Sequence, residues 1–207
     1  MNRKLSDKRE KRKERKIKPS LLIAAEGRHL TETNYFNGFI GYGFPYNISF
    51  VPGNATDPET LLSNMTRYWN HMGFSSEEGD LATIVVDLDN NNEKAVLLAE
   101  KIRKHPAIKF LISNPSIEIW FLFHFQKNPK RFMNSKDLIK ELSRYIKDYE
   151  KSKNYNDVLF LKTKEAIDNS YHKAVQQDKY YHWPSIVCNP RTDLYQIVSV
   201  LIPNDKH

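Results

Sequence analysis

The chain has 207 residues, 40% of them hydrophobic and 12% aromatic, which suits one domain of ordinary size with a packed interior. No apolar run reaches the roughly 20 residues that a membrane-spanning helix needs, no signal-peptide segment opens the chain, and the single cysteine, Cys188, excludes an internal disulfide and a cysteine-based zinc site. The net charge of +7 belongs to residues 1–18, where ten Lys or Arg stand against three acids, whereas the remaining 189 residues carry 22 of each sign.

These features predict a soluble, cytoplasmic protein with one core, in which Cys188 is a small buried hydrophobe. The arm of residues 1–18 has too little apolar surface to fold alone. Its cations, Arg3, Lys4, Lys8, Arg9, Lys11, Arg12, Lys13, Arg15, Lys16 and Lys18, are either a solvated, disordered leader or a nucleic-acid arm that gains affinity by releasing counterions from phosphates.

Behind the arm, strand and helix patterns alternate. Residues 21–26, Leu-Leu-Ile-Ala-Ala-Glu, form an apolar run that ends on a carboxylate, and Gly27 permits a sharp exit. A helix is expected from Thr31 or Glu32 to about Gly41, with Tyr35, Phe36, Phe39 and Ile40 on its apolar face. Residues 46–51 alternate as a strand, and Asp57-Pro58 opens a helix that runs to about Met72-Gly73. Leu81 to Val86 is the most strand-like stretch and leads into Asp87-Leu88-Asp89; a helix from about Asn92 to Lys104 and a fourth strand, Ile108 to Ser113, follow.

After Asn114-Pro115-Ser116, residues 117–125 read as a buried helix with Glu118 in its first turn. Residues 135–150 and 157–176 read as helices, and Thr192 as the cap of a last helix through Leu201. The expected fold is α/β, with a mainly parallel four-stranded, Rossmann-like sheet flanked by helices. Residues 1–18 are the arm, 19–127 the core, and 128–207 a helical extension packed on that core.

The acids carry the chemistry. Ligand sites in open α/β sheets lie at the carboxyl ends of strands, so Glu26, Asp87 and Asp89 converge if their strands are adjacent and parallel. Paired aspartates one residue apart on an extended exit can both face an ion, and hard oxygen ligands suit Mg²⁺ or Mn²⁺. Glu26 would serve as general acid or base or as a second metal ligand. Glu118 follows a strand end at the same edge; it complements its helix N-terminus or takes a metal or catalytic role.

Other chemistries have little support. There is no P-loop and no Gly-x-Ser-x-Gly elbow. The seven histidines lack zinc spacing, and His29 alone sits near the presumed rim. Tyr180, Tyr181, His182 and Trp183 either stack bases or pack.

Glu26-Gly27 with Thr31-Glu32 and Tyr35-Phe36, Asp87-Leu88-Asp89, Ser113-Asn114-Pro115-Ser116-Ile117-Glu118-Ile119-Trp120 with Leu122, His124 and Phe125, Tyr149-Glu150-Lys151, and Asn189-Pro190-Arg191-Thr192 with Leu194, Ile197 and Val198 run nearly the length of the chain. This set resembles the RloB-like family, which includes the second component of the AbiL abortive-infection system. The family looks like a Toprim-type nuclease, related to domains of topoisomerases, primases and overcoming-lysogenisation-defect nucleases. The resemblance implies a Toprim-like fold, Mg²⁺ dependence, Glu26 as acid or base, Asp87 and Asp89 as metal ligands, an ATPase encoded alongside, and a part in defence against phage. Two departures stand out: the usual Asp-Arg-Asp is Asp87-Leu88-Asp89 here, and Ser116-Ile117 replaces the usual aromatic after Asn-Pro.

The resulting expectation is a Mg²⁺- or Mn²⁺-dependent nuclease acting on DNA or a structured RNA such as tRNA, with an ATPase partner. Glu26 and Glu118 are its catalytic candidates, Glu26, Asp87 and Asp89 its metal ligands, and Lys151 joins the arm among the nucleic-acid contacts. The alternative is a non-catalytic nucleic-acid-binding or adaptor subunit. A dehalogenase-like phosphatase built on Asp87-Leu88-Asp89 is disfavoured by Asn91 and by the late position of the motif.

Overall fold

The computed structural model describes residues 18–27 and 30–202. Of the arm's ten cations only Lys18 is among them; residues 1–17 and His29 lie outside the described residues.

Five strands form one sheet: β1 (Ser20–Ala25), β2 (Asn47–Phe50), β3 (Leu81–Asp87), β4 (Ile108–Asn114) and the two-residue β5 (Arg191–Thr192). Their order is β2-β1-β3-β4-β5; the first four are parallel and β5 runs antiparallel to β4. The architecture is that of a Rossmann-like α/β fold.

β1 is buried on both faces, which is why it reads as an unbroken apolar run and not as an alternating one. Leu21, Ile23 and Ala25 pack beneath Tyr35 and Phe36 of α1 (Leu30–Asn37), while Leu22 and Ala24 meet Leu61 and Met65 of α2 (Pro58–Met72) and Leu98 of α3 (Asn92–Lys104) on the other face. α2 begins and ends as the sequence predicts. The Asp57 side chain accepts from Thr60 N at 2.8 Å, Pro58 sits in the first turn, and Gly73 closes the helix at φ 70°.

The C-terminal half packs on the α1 face. α4 (Glu118–Phe123), α5 (Ser135–Leu142), α6 (Asn156–Leu159), α7 (Thr163–Asp178) and α8 (Tyr195–Leu201) contribute Trp120, Phe123, Leu138, Leu159, Ala166 and Ile197 to one continuous core. No helix among the described residues is long and apolar enough to cross a membrane. Cys188 is free and buried.

Several boundaries differ from the sequence reading. The sheet has a fifth strand, because Thr192 pairs with Ser113 instead of capping a helix: their hydroxyls lie 2.8 Å apart across the two strands, and α8 starts only at Tyr195. α1 stops at Asn37, not Gly41, because Gly38 N and Phe39 N donate three residues back, tightening the last turn into a stop. α5 ends at Leu142 in the same way, with Arg144 N and Tyr145 N bonding three residues back. The helix expected over 157–176 is divided by a 3₁₀ turn at residues 160–162.

Candidate acidic site at the switch point

The crossover from β1 runs through α1 to β2 on one side, and the next, from β2 by way of α2, runs back past β1 to β3 on the other. The topological switch point is therefore between β1 and β3, where the connections diverge and open a crevice at the carboxyl ends of the strands. Glu26 directly follows β1, and Asp87 is the last residue of β3. Gly27, at φ 69°, turns the chain away behind Glu26 and donates to Ala55 O at 2.8 Å.

The two acids are tied together. Asp87 N donates to Glu26 Oε2 at 3.2 Å, and Ile117 N donates to Asp87 Oδ1 at 2.8 Å. Burial, reinforced by the carboxylates of Glu118, Glu32 and Asp89, pushes Asp87 well above the usual carboxylate range. Glu32, on the buried side of α1, is pushed up to about 7, first by burial and then by Glu118 and Glu26.

The exit from β3 is not extended. Leu88 N donates to Ser113 O and Asp89 N to Pro115 O, at 2.7 and 2.8 Å, and both Asp89 and Asn90 sit at φ 54°. Asp and Asn are the residue types that tolerate this left-handed backbone. The turn splits the aspartate pair: Asp87 points inward, whereas the Asp89 side chain is 57% exposed.

Lys94, in the first turn of α3, fills the space between the outer acids. Its ammonium lies 2.7 and 2.9 Å from the two Glu26 oxygens and 4.0 Å from Asp89 Oδ2. Asn91 fixes that turn by accepting from Lys94 N at 3.0 Å. Glu118 is sealed behind Asp87, with no exposed surface. Ser116 Oγ donates to it at 2.6 Å and Tyr149 OH at 3.3 Å, and the ammonium of Lys151 stands 3.1 Å away.

The structure thus brings Glu26, Asp87, Asp89 and Glu118 to one edge and adds Glu32, Lys94 and Tyr149. Lys94 escaped sequence reasoning because an exposed-looking lysine in a first helical turn carries no local signal. Glu32 had one, since it stands on the face of α1 that carries Tyr35 and Phe36. Lys151 is half exposed, and its charge faces Glu118. Trp183 belongs to a packed set: its indole donates to Asp193 at 2.6 Å and its ring lies 4.6 Å from the Arg191 guanidinium carbon, whereas Tyr180 and Tyr181 are exposed.

The donor chemistry fits a hard divalent ion, because the set is all carboxylate and its central member is strained by like charge. The spacing shown is that of an ammonium-bridged set. Among the described residues no three carboxylate, histidine or cysteine side chains are placed to hold a metal ion together.

A family model described as RloB-like protein matches residues 21–201. The chain belongs to the RloB-like family. That span takes in every strand from Leu21 onward and all the acids at the RloB-like site, with the arm and the last residues outside it. No curated protein and no solved structure matches the chain.

Proposed function

We propose that this RloB-like chain is a divalent-metal-dependent nuclease that hydrolyses phosphodiester bonds in DNA or in a structured RNA such as tRNA. In this reading it works with an ATPase partner in abortive defence against phage, as the resemblance of its motifs implies. The observation that carries the proposal is the crowding at Asp87. Folding has gathered the charges of Glu118, Glu32 and the exposed Asp89 around the half-buried Asp87 carboxyl, with Glu26 bonded to its amide, an arrangement that costs stability and that a bound cation would relieve.

Glu26, Asp87 and Asp89 would hold Mg²⁺ or Mn²⁺. When bound, such an ion neutralises phosphate oxygens and lowers the pKa of water. The remaining work falls to this chain's own groups. Asp87 is aimed by Ile117 N, and Glu26 by Asp87 N and Lys94. Glu26, part-exposed at the mouth, is the carboxylate placed to take a proton from an attacking water. Glu118 has no route to substrate and acts as a positioning residue, holding Lys151, Tyr149 and the turn that supports Asp87.

The Lys94 bridge favours a second reading, a non-catalytic nucleic-acid-binding or adaptor subunit of the ATPase. There, Lys94 itself neutralises Glu26 and Asp89, and no ion is needed. Supercoiled plasmid and total tRNA incubated with the purified protein separate the two, in Mn²⁺ and in EDTA, beside Asp87→Ala. The nuclease reading expects cutting in Mn²⁺ only, lost in the variant; cutting that survives EDTA or the substitution removes it. Retention of nucleic acid without cutting in either condition supports the adaptor.

A further inference from the structure

The folded part of the chain is electrically lopsided in a way its neutral total conceals. Residues 127–147 carry seven basic side chains, Lys127, Lys130, Arg131, Lys136, Lys140, Arg144 and Lys147, against Asp137 and Glu141. That segment is +5, so the rest of residues 19–207 is −5. All seven cations are exposed. Of the seven, only Arg144 has an ion-pair partner among the described residues, Glu141, which also accepts from Gln126. The Asp137 carboxylate accepts from Asn134 Nδ2 at 3.1 Å, and Asp137 N donates to Oδ1 of the same asparagine, the cap of α5, at 2.9 Å. Lys130, Arg131, Lys140 and Arg144 line an open cleft of about 340 Å³ with Phe132 and Met133.

The position of this cleft is fixed by the acidic rim itself. Asn90, next to Asp89, donates through Nδ2 to Phe132 O and Met133 O at 3.3 and 3.0 Å. Asn90 N donates to Asn114 Oδ1 at 3.0 Å. From the other side Asn189 Nδ2 donates to Asn90 Oδ1 at 2.5 Å and to Phe132 O at 2.7 Å, and Phe132 N donates to Asn189 Oδ1 at 3.2 Å. A three-asparagine latch therefore holds a basic wall against the turn that presents Asp89. Two other uses of such a strip, as solvated surface and as membrane contact, do not call for anchoring at a carboxylate rim. A polyanion that must pass the rim does, because its phosphates need cations beside acids that would otherwise repel them.

We infer that the 127–147 segment is a phosphate-backbone track for nucleic acid, which delivers the strand to the Asp87–Asp89 edge. The inference rests on the nuclease reading and names how that site holds its substrate. Lys130, Arg131 and Lys140 are the backbone contacts, and Asn90 sets their register relative to Asp89. Such contacts are independent of sequence and sensitive to salt.

The test is a salt titration of binding with the full chain, carrying Asp87→Asn so that nothing is cut. Fluorescent 30-mer single-stranded DNA, duplex DNA and RNA hairpin serve as probes. Three background-matched proteins are compared: the parent, a Lys130→Gln/Arg131→Gln/Lys140→Gln variant, and a charge-matched control, Arg103→Gln/Lys104→Gln/Lys109→Gln, at the opposite end of the sheet. The track predicts that the first variant binds about 10- to 100-fold more weakly at low salt and loses about 2 to 3 from the slope of log K against log salt, whereas the control changes little. Equal loss in both variants, an unchanged slope, or no salt-dependent binding by the parent overturns it. The outcome separates from that of the nuclease reading. Metal-dependent cutting lost in Asp87→Ala can coexist with an unchanged slope, which removes only the track, and a lost slope can coexist with no cutting at all, which removes only the nuclease.

Discussion

β3 is bracketed by two acids that look alike in the sequence and behave oppositely in the fold. Asp80, just before the strand, is buried at the amino end of the sheet; it accepts from Ser20 N at 2.6 Å and from Ser75 N at 2.9 Å, fastening β1 to the 75–80 turn. Asp87, at the carboxyl end, accepts one amide and faces three carboxylates. Asp80 is the more buried of the two, so burial alone does not mark a functional acid. Like-charge crowding that one amide donor does not offset is what sets Asp87 apart. One aspartate repairs unsatisfied backbone, and the other is a cost that the rest of the fold carries.

Substitution turns that contrast into opposite outcomes. On the nuclease reading the largest expected effect is on chemistry: Asp87→Ala would lower Mn²⁺-dependent cleavage by on the order of 100-fold or more, whereas Asp80→Ala in the surviving folded fraction would cut at the parental rate. Next comes stability. Asp80→Ala strands two amide donors and costs about 2–4 kcal/mol in urea unfolding, while Asp87→Asn is neutral or stabilising above pH 7. If the two substitutions destabilise equally, the contrast is wrong.

Metal addition gives an effect of intermediate size. If the crowded edge takes a cation, Mg²⁺ or Mn²⁺ at about 100 times its dissociation constant stabilises the parent by about 2.7 kcal/mol, and Asp87→Asn loses that response. A midpoint unmoved by either ion in the parent would favour the adaptor reading.

The pH dependence follows from Glu32. Its folded value, about 7, lies above its ordinary 4.5, so between these values the native state holds a proton that the unfolded chain has released. Stability contributed by this group is complete below about pH 4.5 and declines as pH rises to 7. Glu32→Gln should flatten that decline in denaturant midpoints measured from pH 4.5 to 7.5; an undiminished slope would assign it to other acids. Asp193, raised by burial to about 6, adds to the same decline at its lower end. At the mouth, Lys94→Gln breaks a largely buried ion pair, its side chains 14% and 20% exposed, and costs about 1.5–3 kcal/mol in urea unfolding.

The acids themselves were legible in the chain, since a carboxylate at the end of an apolar run has few other places to go. The basic wall was not: its +5 is cancelled within the 19–207 total, and only the Asn90 latch says where it stands. Thr192 shows the same limit from another side. Its local pattern fits a helix cap, and its hydroxyl does accept from Leu194 N at 3.3 Å, yet pairing with Ser113, 79 positions away, makes it a strand.

By itself, then, the sequence determined what depends on near neighbours: the burial of β1 on both faces, the Asp57-Pro58 start and Gly73 stop of α2, and Glu26 and Asp87 at strand ends. Tertiary structure decided the strand order that opens the crevice between β1 and β3, the Lys94 bridge over 68 positions and the asparagine latch over 99. The physical reason is range. Helix and strand periodicity is written by residues a few positions apart, whereas strand order and the electrostatic environment of each acid exist only once distant segments share one low-dielectric space.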